Sequence, residues 1–453
     1  MRTFAFSLLL AGATLAGLPA SATVRPAAPW GPQAVQACTQ AATGPCVIST
    51  ITRRALSGDV AEYSFTMKVG PGQHDVIGLH RVVKELGAFQ PAPSNSGIFF
   101  VHGDALGFDA AFLASAASPS IPDSHALPVY LAERGVEVWG IDMRWILVDP
   151  STTDFSFMQS WGLALNAGDV GIGLAIAAGV RGTDEPMNLL GWSRGGQIGY
   201  TYLSTEAALP PAQRRAKGFI PVDIYVRTDD VTLRGFACNR LTDRKAQLAA
   251  GTFADPTGQL LGAVGQLAVA SPNTTSPFTP GTGLPPLFPA GTTNGQAALI
   301  VGAATFNLLA PNPPTANYHW TGGSFGTNGL PTGLNFTAQT YLYDYLAGVS
   351  PFEATKLIAD AEAMMCENDD TPFLDNLADV TVPVLYVGAD GGFGTSGFYS
   401  TTLLGSTDRE TLLIDRTPGQ LTDYGHSDLF LASDAETLVW SPIYDWILGF
   451  RQQ

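Results

Sequence analysis

The sequence predicts an α/β protein built on a mostly parallel sheet with helices on both faces, and three observations carry that prediction. Short apolar runs bounded by turn residues alternate with stretches of helical periodicity, the pattern of strands covered from both sides. One of those runs, residues 187–190, leads straight into Gly191-Trp192-Ser193-Arg194-Gly195, and a helical stretch follows at once. The alternation breaks off after Val226 and resumes near Val382. No internal repeat spans the gap, so the break reads as an insertion into one architecture.

Taken in order, residues 62–69 and 76–83 read as opening antiparallel strands, and 96–101 as a third strand that ends at His102-Gly103. Residues 127–134 read as a helix, 136–142 as a strand, and 155–180 as one or two helices broken by glycines. The strand 187–190, the helix 198–208 and a strand over 219–226 come next. The regular pattern then dissolves until a strongly apolar strand over 382–387; 411–414 gives the last strand and 435–450 the closing helix. From Pro256 through Tyr343 there is no Asp, Glu, Lys or Arg, although the chain's own 14% of charged residues would place about a dozen there. Such a segment is either a loop-rich insertion that avoids charge or a cap that lays apolar surface over a site.

Gly191-Trp192-Ser193-Arg194-Gly195 has the form G-x-S-x-G between a strand and a helix. A turn that tight admits only small residues two before and two after the serine, and it leaves the hydroxyl projecting from the sheet edge. A serine hydroxyl is a weak nucleophile at neutral pH, so a base must take its proton and an acid must orient the base. Of the six histidines, His426 in Tyr424-Gly425-His426-Ser427-Asp428 is the candidate base, because it follows the serine and a candidate acid in the order Ser, acid, His. His102 ends the third strand, while His74, His80, His125 and His319 read as surface or core side chains. Asp390, which closes an apolar run and precedes Gly391-Gly392, is the candidate acid, with Asp415 and Asp379 in reserve.

With His102-Gly103, the elbow at Ser193, Gly388-Ala389-Asp390 and Gly425-His426, the chain resembles the α/β-hydrolase superfamily, in particular its capped lipase and esterase branch, over residues 62–446. The resemblance implies an α/β-hydrolase fold with a cap inserted after the sixth strand. With residues 1–22 read as a signal peptide, it divides the rest of the chain into two parts of the core (23–227 and 371–453) and a cap or lid (228–370). It implies Ser193 as nucleophile, His426 as general base and then acid, Asp390 as orienting carboxylate, and the backbone N–H groups of Arg194 and Asp104 as the oxyanion hole. Asp104 sets a carboxylate beside that hole, so its side chain has to point away. The implied reaction is hydrolysis of carboxylic esters through an acyl-serine, and the charge-free segment suggests an apolar or polymeric ester. A carbon–carbon hydrolase of β-diketones, such as those in oxidised polyvinyl alcohol, or an exported serine peptidase of the same fold would use the same residues. Trp192, Trp320 and Tyr341 to Tyr343 are candidates for an acyl pocket or for core.

Composition narrows the partners. With 23 basic against 39 acidic residues the net charge is -16, which repels a nucleic-acid backbone. No G-x-G-x-x-G fingerprint follows the early strands and no Cys/His cluster has zinc spacing, so neither a cofactor nor a metal is expected. Arg2, the apolar run 4–18 and Ala20-Ser21-Ala22 read as an export signal cleaved before Thr23, which points to a secreted or periplasmic protein. No later stretch reads as long and apolar enough to span a membrane. Four cysteines in an oxidising compartment favour two disulfides, most simply Cys38–Cys46 and Cys238–Cys366, with the other pairings open.

Overall fold

The apolar runs assemble into one central sheet. A computed structural model describes residues 48–449 apart from 95, 114–117, 283, 368–371 and 418–420; the expected signal peptide and the Cys38–Cys46 pairing lie outside the described residues. β1 (Ile48–Ala55), β2 (Val60–Lys68) and β3 (Val76–Gly87) pair antiparallel. β4 (Ser96–Val101), β5 (Val136–Asp142), β6 (Met187–Trp192), β7 (Ala216–Val222), β8 (Val384–Ala389) and β9 (Arg409–Ile414) run parallel to one another. The spatial order is β1-β2-β3-β5-β4-β6-β7-β8-β9. The expected parallel sheet is therefore present, with β1 added at one edge.

Strand position follows burial. β4, β6 and β8 are buried at every residue, as strands covered on both faces must be, whereas β9 alternates exposed and half-buried residues as an edge strand does. The two-residue period sends Ile98 and Phe100 of β4 into one core and Phe99 and Val101 into the other. On the first face lie α1 (Phe108–Phe112) and α2 (Leu127–Glu133); on the second lie α3 (Leu163–Arg181) and α4 (Arg194–Ala207).

Two expectations change here. The strand over 219–226 ends at Val222, because Asp223 turns to φ +47° and leaves the sheet. Contrary to the sequence reading, α3 is long and apolar enough to cross a membrane by length and composition. In the fold it lies on the sheet, with Val170, Leu174 and Ala177 buried and Gly173 close enough to Phe99 that an added Cβ would sit 2.6 Å from its ring. Its buried Asp169 takes two hydrogen bonds from Arg144, at 2.7 and 2.8 Å.

Between β7 and β8 the chain folds into α5 (Val231–Ala249), α6 (Thr257–Ala270), α7 (Asn294–Ala303), α8 (Gln339–Ala347) and α9 (Thr355–Met365). The charge-free stretch thus contains α6, α7 and the start of α8 where the sequence shows no helical pattern. Its helices lack the charged face that makes a helix legible, since Gly and Ala pack them directly against neighbours. An added Cβ on Gly265 of α6 would overlap the backbone of Ala347 in α8. Val264, Leu342, Tyr345 and Leu346 from this insertion share one continuous core with Trp192 and Phe430. The disulfide Cys238–Cys366 ties α5 to the end of α9 across a sequence separation of 128. A closing helix, α10 (Ser441–Ile447), returns to the first face of the sheet.

Candidate active site

Ser193 sits between β6 and α4 with φ 55° and ψ −128°, a conformation costly for any residue with a side chain. The surroundings enforce it. Ser193 N–H donates to Val222 O at 2.9 Å and Gly196 N–H to Ser193 O at 2.8 Å. A Cβ on Gly191 would overlap Gly195 O, and one on Gly195 would overlap Val101 O, so only glycine fits at either flank of the elbow. Gly103 packs on the serine itself, where an added Cβ would lie 2.8 Å from Ser193 Cβ.

His102 is not placed as a base. It is fully buried; its Nδ1–H donates to Gly103 O at 2.9 Å, and its Nε2 accepts Met143 N–H at 3.1 Å. Those partners specify the neutral Nδ1–H tautomer, and burial pushes the imidazole pKa below its ordinary value. The ring holds the loop that carries Gly103 and Asp104.

His426 is 3% exposed and lies beside the elbow, stacked on Trp192 with ring centroids 5.0 Å apart and flanked by Tyr318 at 5.4 Å and Phe393 at 5.6 Å. Its loop is stitched to the insertion: His426 N–H donates to His319 O at 3.0 Å and Ser427 N–H to Trp320 O at 2.7 Å. The carboxylate on its Nδ1 is Asp223, at 2.6 Å from Oδ2. Asp223 is fully buried, and its Oδ1 accepts N–H groups from Ala389 at 2.9 Å, Phe393 at 3.0 Å and Gly394 at 3.2 Å.

The expectation for Asp390 is corrected by this pairing. An imidazole has one Nδ1 position, and Asp223 occupies it. Asp390 instead brings a carboxylate oxygen within 4.8 Å of those of Asp415 and Asp423, and Asp423 accepts N–H groups from Arg416, Thr417 and Tyr424. The loop expected to bear the acid serves as its cradle: a side chain on Gly392 would overlap Asp223 Oδ2. Asp223 escaped sequence reasoning because it lies inside the apolar run 219–226. The available signal was the run's own discordance, one acidic residue where a buried strand would want none.

Arg194 opens α4, so its backbone N–H is a free helix-terminal donor beside Ser193. Asp104 follows Gly103 in the adjoining loop. Its carboxylate is turned onto the Arg194 guanidinium, with Nε to Oδ1 at 2.7 Å and Nη2 to Oδ2 at 3.0 Å. Burial raises the Asp104 pKa, but the Arg194 charge outweighs that and holds it below the usual carboxylate range. The aromatic candidates divide. Trp192 is 1% exposed and is core as well as a wall for His426, while Trp320 packs edge-on to Tyr345 at 5.8 Å. Tyr341 lies against His125 at 5.7 Å.

A second titratable group lies farther along the sheet. Glu62, His80 and Asp109 bring ligand atoms within 4.8 Å of one another. Arg54 bonds Glu62 at 2.6 Å and reaches Asp109 at 3.3 Å, and His80 Nε2 contacts Asp142 at 3.1 Å. Burial and the neighbouring Glu62 push Asp109 up to about 8. Arg54 and His80 supply the counter-charge, and Asp142 accepts Phe108 N–H at 2.7 Å, which anchors the start of α1.

The order of the strands, the elbow between β6 and α4 and the insertion after β7 define the α/β-hydrolase fold. A solved structure from Sulfolobus solfataricus, described as a lipase, superposes with a TM-score of 0.59 at 19% identity, covering 90% of this chain and 99% of that one. A carboxyl esterase from Bacillus coagulans gives 0.42 at 14% identity over 87% and 99% of the two chains. A soluble variant of monoglyceride lipase from Saccharomyces cerevisiae gives 0.40 at 13% identity over 90% and 97%. No protein-family model and no curated protein sequence matches the chain.

Proposed function

We propose that the chain is an exported serine hydrolase that cleaves apolar or polymeric carboxylic esters. The observation that carries the reading is the buried Asp223–His426 pair, 2.6 Å apart, set beside a serine held at φ 55°. Ser193 Oγ attacks the ester carbonyl as His426 Nε2 takes its proton. Asp223 holds the Nδ1–H tautomer and stabilises the imidazolium that forms. The backbone N–H groups of Arg194 and Asp104 meet the charge that develops on the carbonyl oxygen. His426 then protonates the leaving alcohol, and water repeats the sequence on the acyl-serine to release the acid.

The substrate class is argued from the insertion, which acts as a cap. Its charge-free part presents Val269, Leu287, Leu308 and Leu309 to solvent, surface that favours water-poor substrates. Export is supported by the signal-like start of the sequence and by Cys238–Cys366, a pairing suited to an oxidising compartment.

Hydrolysis of p-nitrophenyl esters of increasing chain length, beside Ser193→Ala, tests the reading. The expected result is turnover that is lost in the variant and that favours longer acyl chains. A folded wild-type protein with no turnover of any ester would move the assignment to β-diketone or peptide substrates.

A further inference from the structure

The two proposed oxyanion donors are the backbone N–H groups of residues 104 and 194, far apart in sequence, and their side chains are bonded to each other. The guanidinium of Arg194 grips the Asp104 carboxylate with two parallel hydrogen bonds of 2.7 and 3.0 Å, the planar fork geometry that fixes both position and angle. Its remaining nitrogen donates to Gln197 Oε1 at 2.5 Å, and Gln197, fully buried, donates to Tyr225 O at 2.9 Å. Arg194 is therefore anchored in α4 before it reaches Asp104.

The insertion reaches the same loop from the other side. Ser350 N–H donates to Ala105 O at 2.6 Å, and Ala105 is held at φ +54°. Three residues on, Glu353 lies in a two-residue strand paired with Ala254–Asp255 and is 4% exposed. Its carboxyl is hydrogen-bonded to Asp104, and its Oε1 is buried with no partner within the protein. An ionised carboxylate could not sit so, while a neutral carboxylic acid donates one O–H to Asp104 and leaves a weakly polar carbonyl behind.

We propose that Glu353 and the Arg194 side chain form a positioning clasp for the oxyanion hole: both bond the Asp104 carboxylate and so set the spacing of the two backbone N–H donors. The inference rests on the serine-hydrolase reading above and adds a role for the insertion in it. Donors of this kind act only when they lie within hydrogen-bond reach of the oxyanion, and the loop around Asp104 and Ala105 has no regular structure of its own to place one.

The clasp works in one protonation state. Burial and the adjacent Asp104 charge push the Glu353 pKa well above the ordinary carboxylate value, in keeping with the neutral form that its buried, unpartnered Oε1 requires, and that form is lost as pH rises. The charged groups facing it are Asp104, Arg194 of α4 and Asp255 of the paired strand. Arg244 of α5 pairs with Asp255, and Glu362 of α9 adds negative charge near Arg194. Ionising Glu353 sets a second negative charge against Asp104 and removes the O–H that held it.

The test measures kcat and KM for a p-nitrophenyl ester from neutral to alkaline pH in wild type, Glu353→Gln, Glu353→Ala and Ser193→Ala, each checked for folding by circular dichroism. Gln keeps a neutral donor toward Asp104; Ala does not. Expected is a kcat for E353A about tenfold lower with KM within about twofold, because the donors are displaced but not deleted. E353Q should restore kcat at neutral pH and keep it at alkaline pH, where wild type declines. Equal kcat in E353A and wild type, or the same alkaline decline in E353Q and wild type, would overturn the clasp. So would a loss of thermal stability in E353A without a change in kcat. Activity surviving in S193A would instead overturn the serine-hydrolase reading itself.

Discussion

Replacing Asp223 by Asn separates the two candidate acids, and the structure sets the size of the effect. Three N–H groups, from Ala389, Phe393 and Gly394, converge on Asp223 Oδ1. An Asn side chain must put its carbonyl oxygen there, since its NH2 would face three donors with no acceptor. The NH2 is then left pointing at His426 Nδ1, which Asp223 Oδ2 meets at 2.6 Å. That contact requires Nδ1 to accept, which moves the ring proton to Nε2, the atom that has to take the Ser193 proton. The same tautomer inversion in other serine hydrolases lowers kcat by about 10⁴, or about 5.5 kcal/mol at 1.36 kcal/mol per decade. Folding should be little affected, because the hydrogen bonds to Oδ1 survive. We expect D223N to lose about four orders of magnitude in kcat on a p-nitrophenyl ester, with a near-wild-type melting temperature. Asp390→Asn should stay within about threefold, as surface-type changes away from the reacting atoms do. A large loss in D390N with D223N nearly intact would refute the assignment.

Three further perturbations follow from the packing. Asp428 is fully buried and accepts N–H groups from Gly322 and Gly425 and the hydroxyl of Thr337; burial pushes it up to about 7 despite those bonds. Its folded pKa is raised, so its contribution is complete below its ordinary pKa of 3.8 and is lost as pH rises toward 7. Asp428→Asn, whose NH2 can face a rotated Thr337 hydroxyl, should flatten that part of the melting-temperature profile by an amount of order a few kcal/mol; an unchanged slope in differential scanning calorimetry would contradict it. Cys238→Ser with Cys366→Ser should cost about 2–5 kcal/mol in urea unfolding, with no change in a wild-type sample kept under reducing conditions as the contrary result. Gly195→Ala should fail to fold or lose all turnover, because its Cβ would overlap Val101 O, whereas exposed, helical Gly168 has nothing within 4 Å and Gly168→Ala should gain about 0.5–1 kcal/mol.

Much of the architecture is legible in the chain because its signals are local. Continuous apolar runs such as Ile98 to Val101 mark strands buried on both faces, and the crowding at Gly191, Gly195 and Gly196 can only mean a sharp turn from strand to helix. His426 is legible for a related reason, since its loop follows the last strand and precedes the closing helix. The helices of the insertion are not, because α6 and α7 bury Gly and Ala contacts and carry no charged face to set a period. The Arg194–Asp104–Glu353 contact is equally hidden, being made from three segments whose sequences have nothing in common.

The sequence by itself determined the sheet, the elbow at Ser193 and the position of the histidine loop, all of which follow from residue chemistry within a few positions of one another. Only the tertiary structure decided which carboxylate meets the histidine. β7 and β8 are adjacent and parallel, with Val222 opposite Val387, so Asp223 and Asp390 leave the same edge of the sheet almost side by side. The decision falls to the turn at Asp223, φ +47°, and to three N–H groups from the β8 loop that converge on its carboxylate. Those donors come from residues more than a hundred positions away, and only the assembled sheet brings them together.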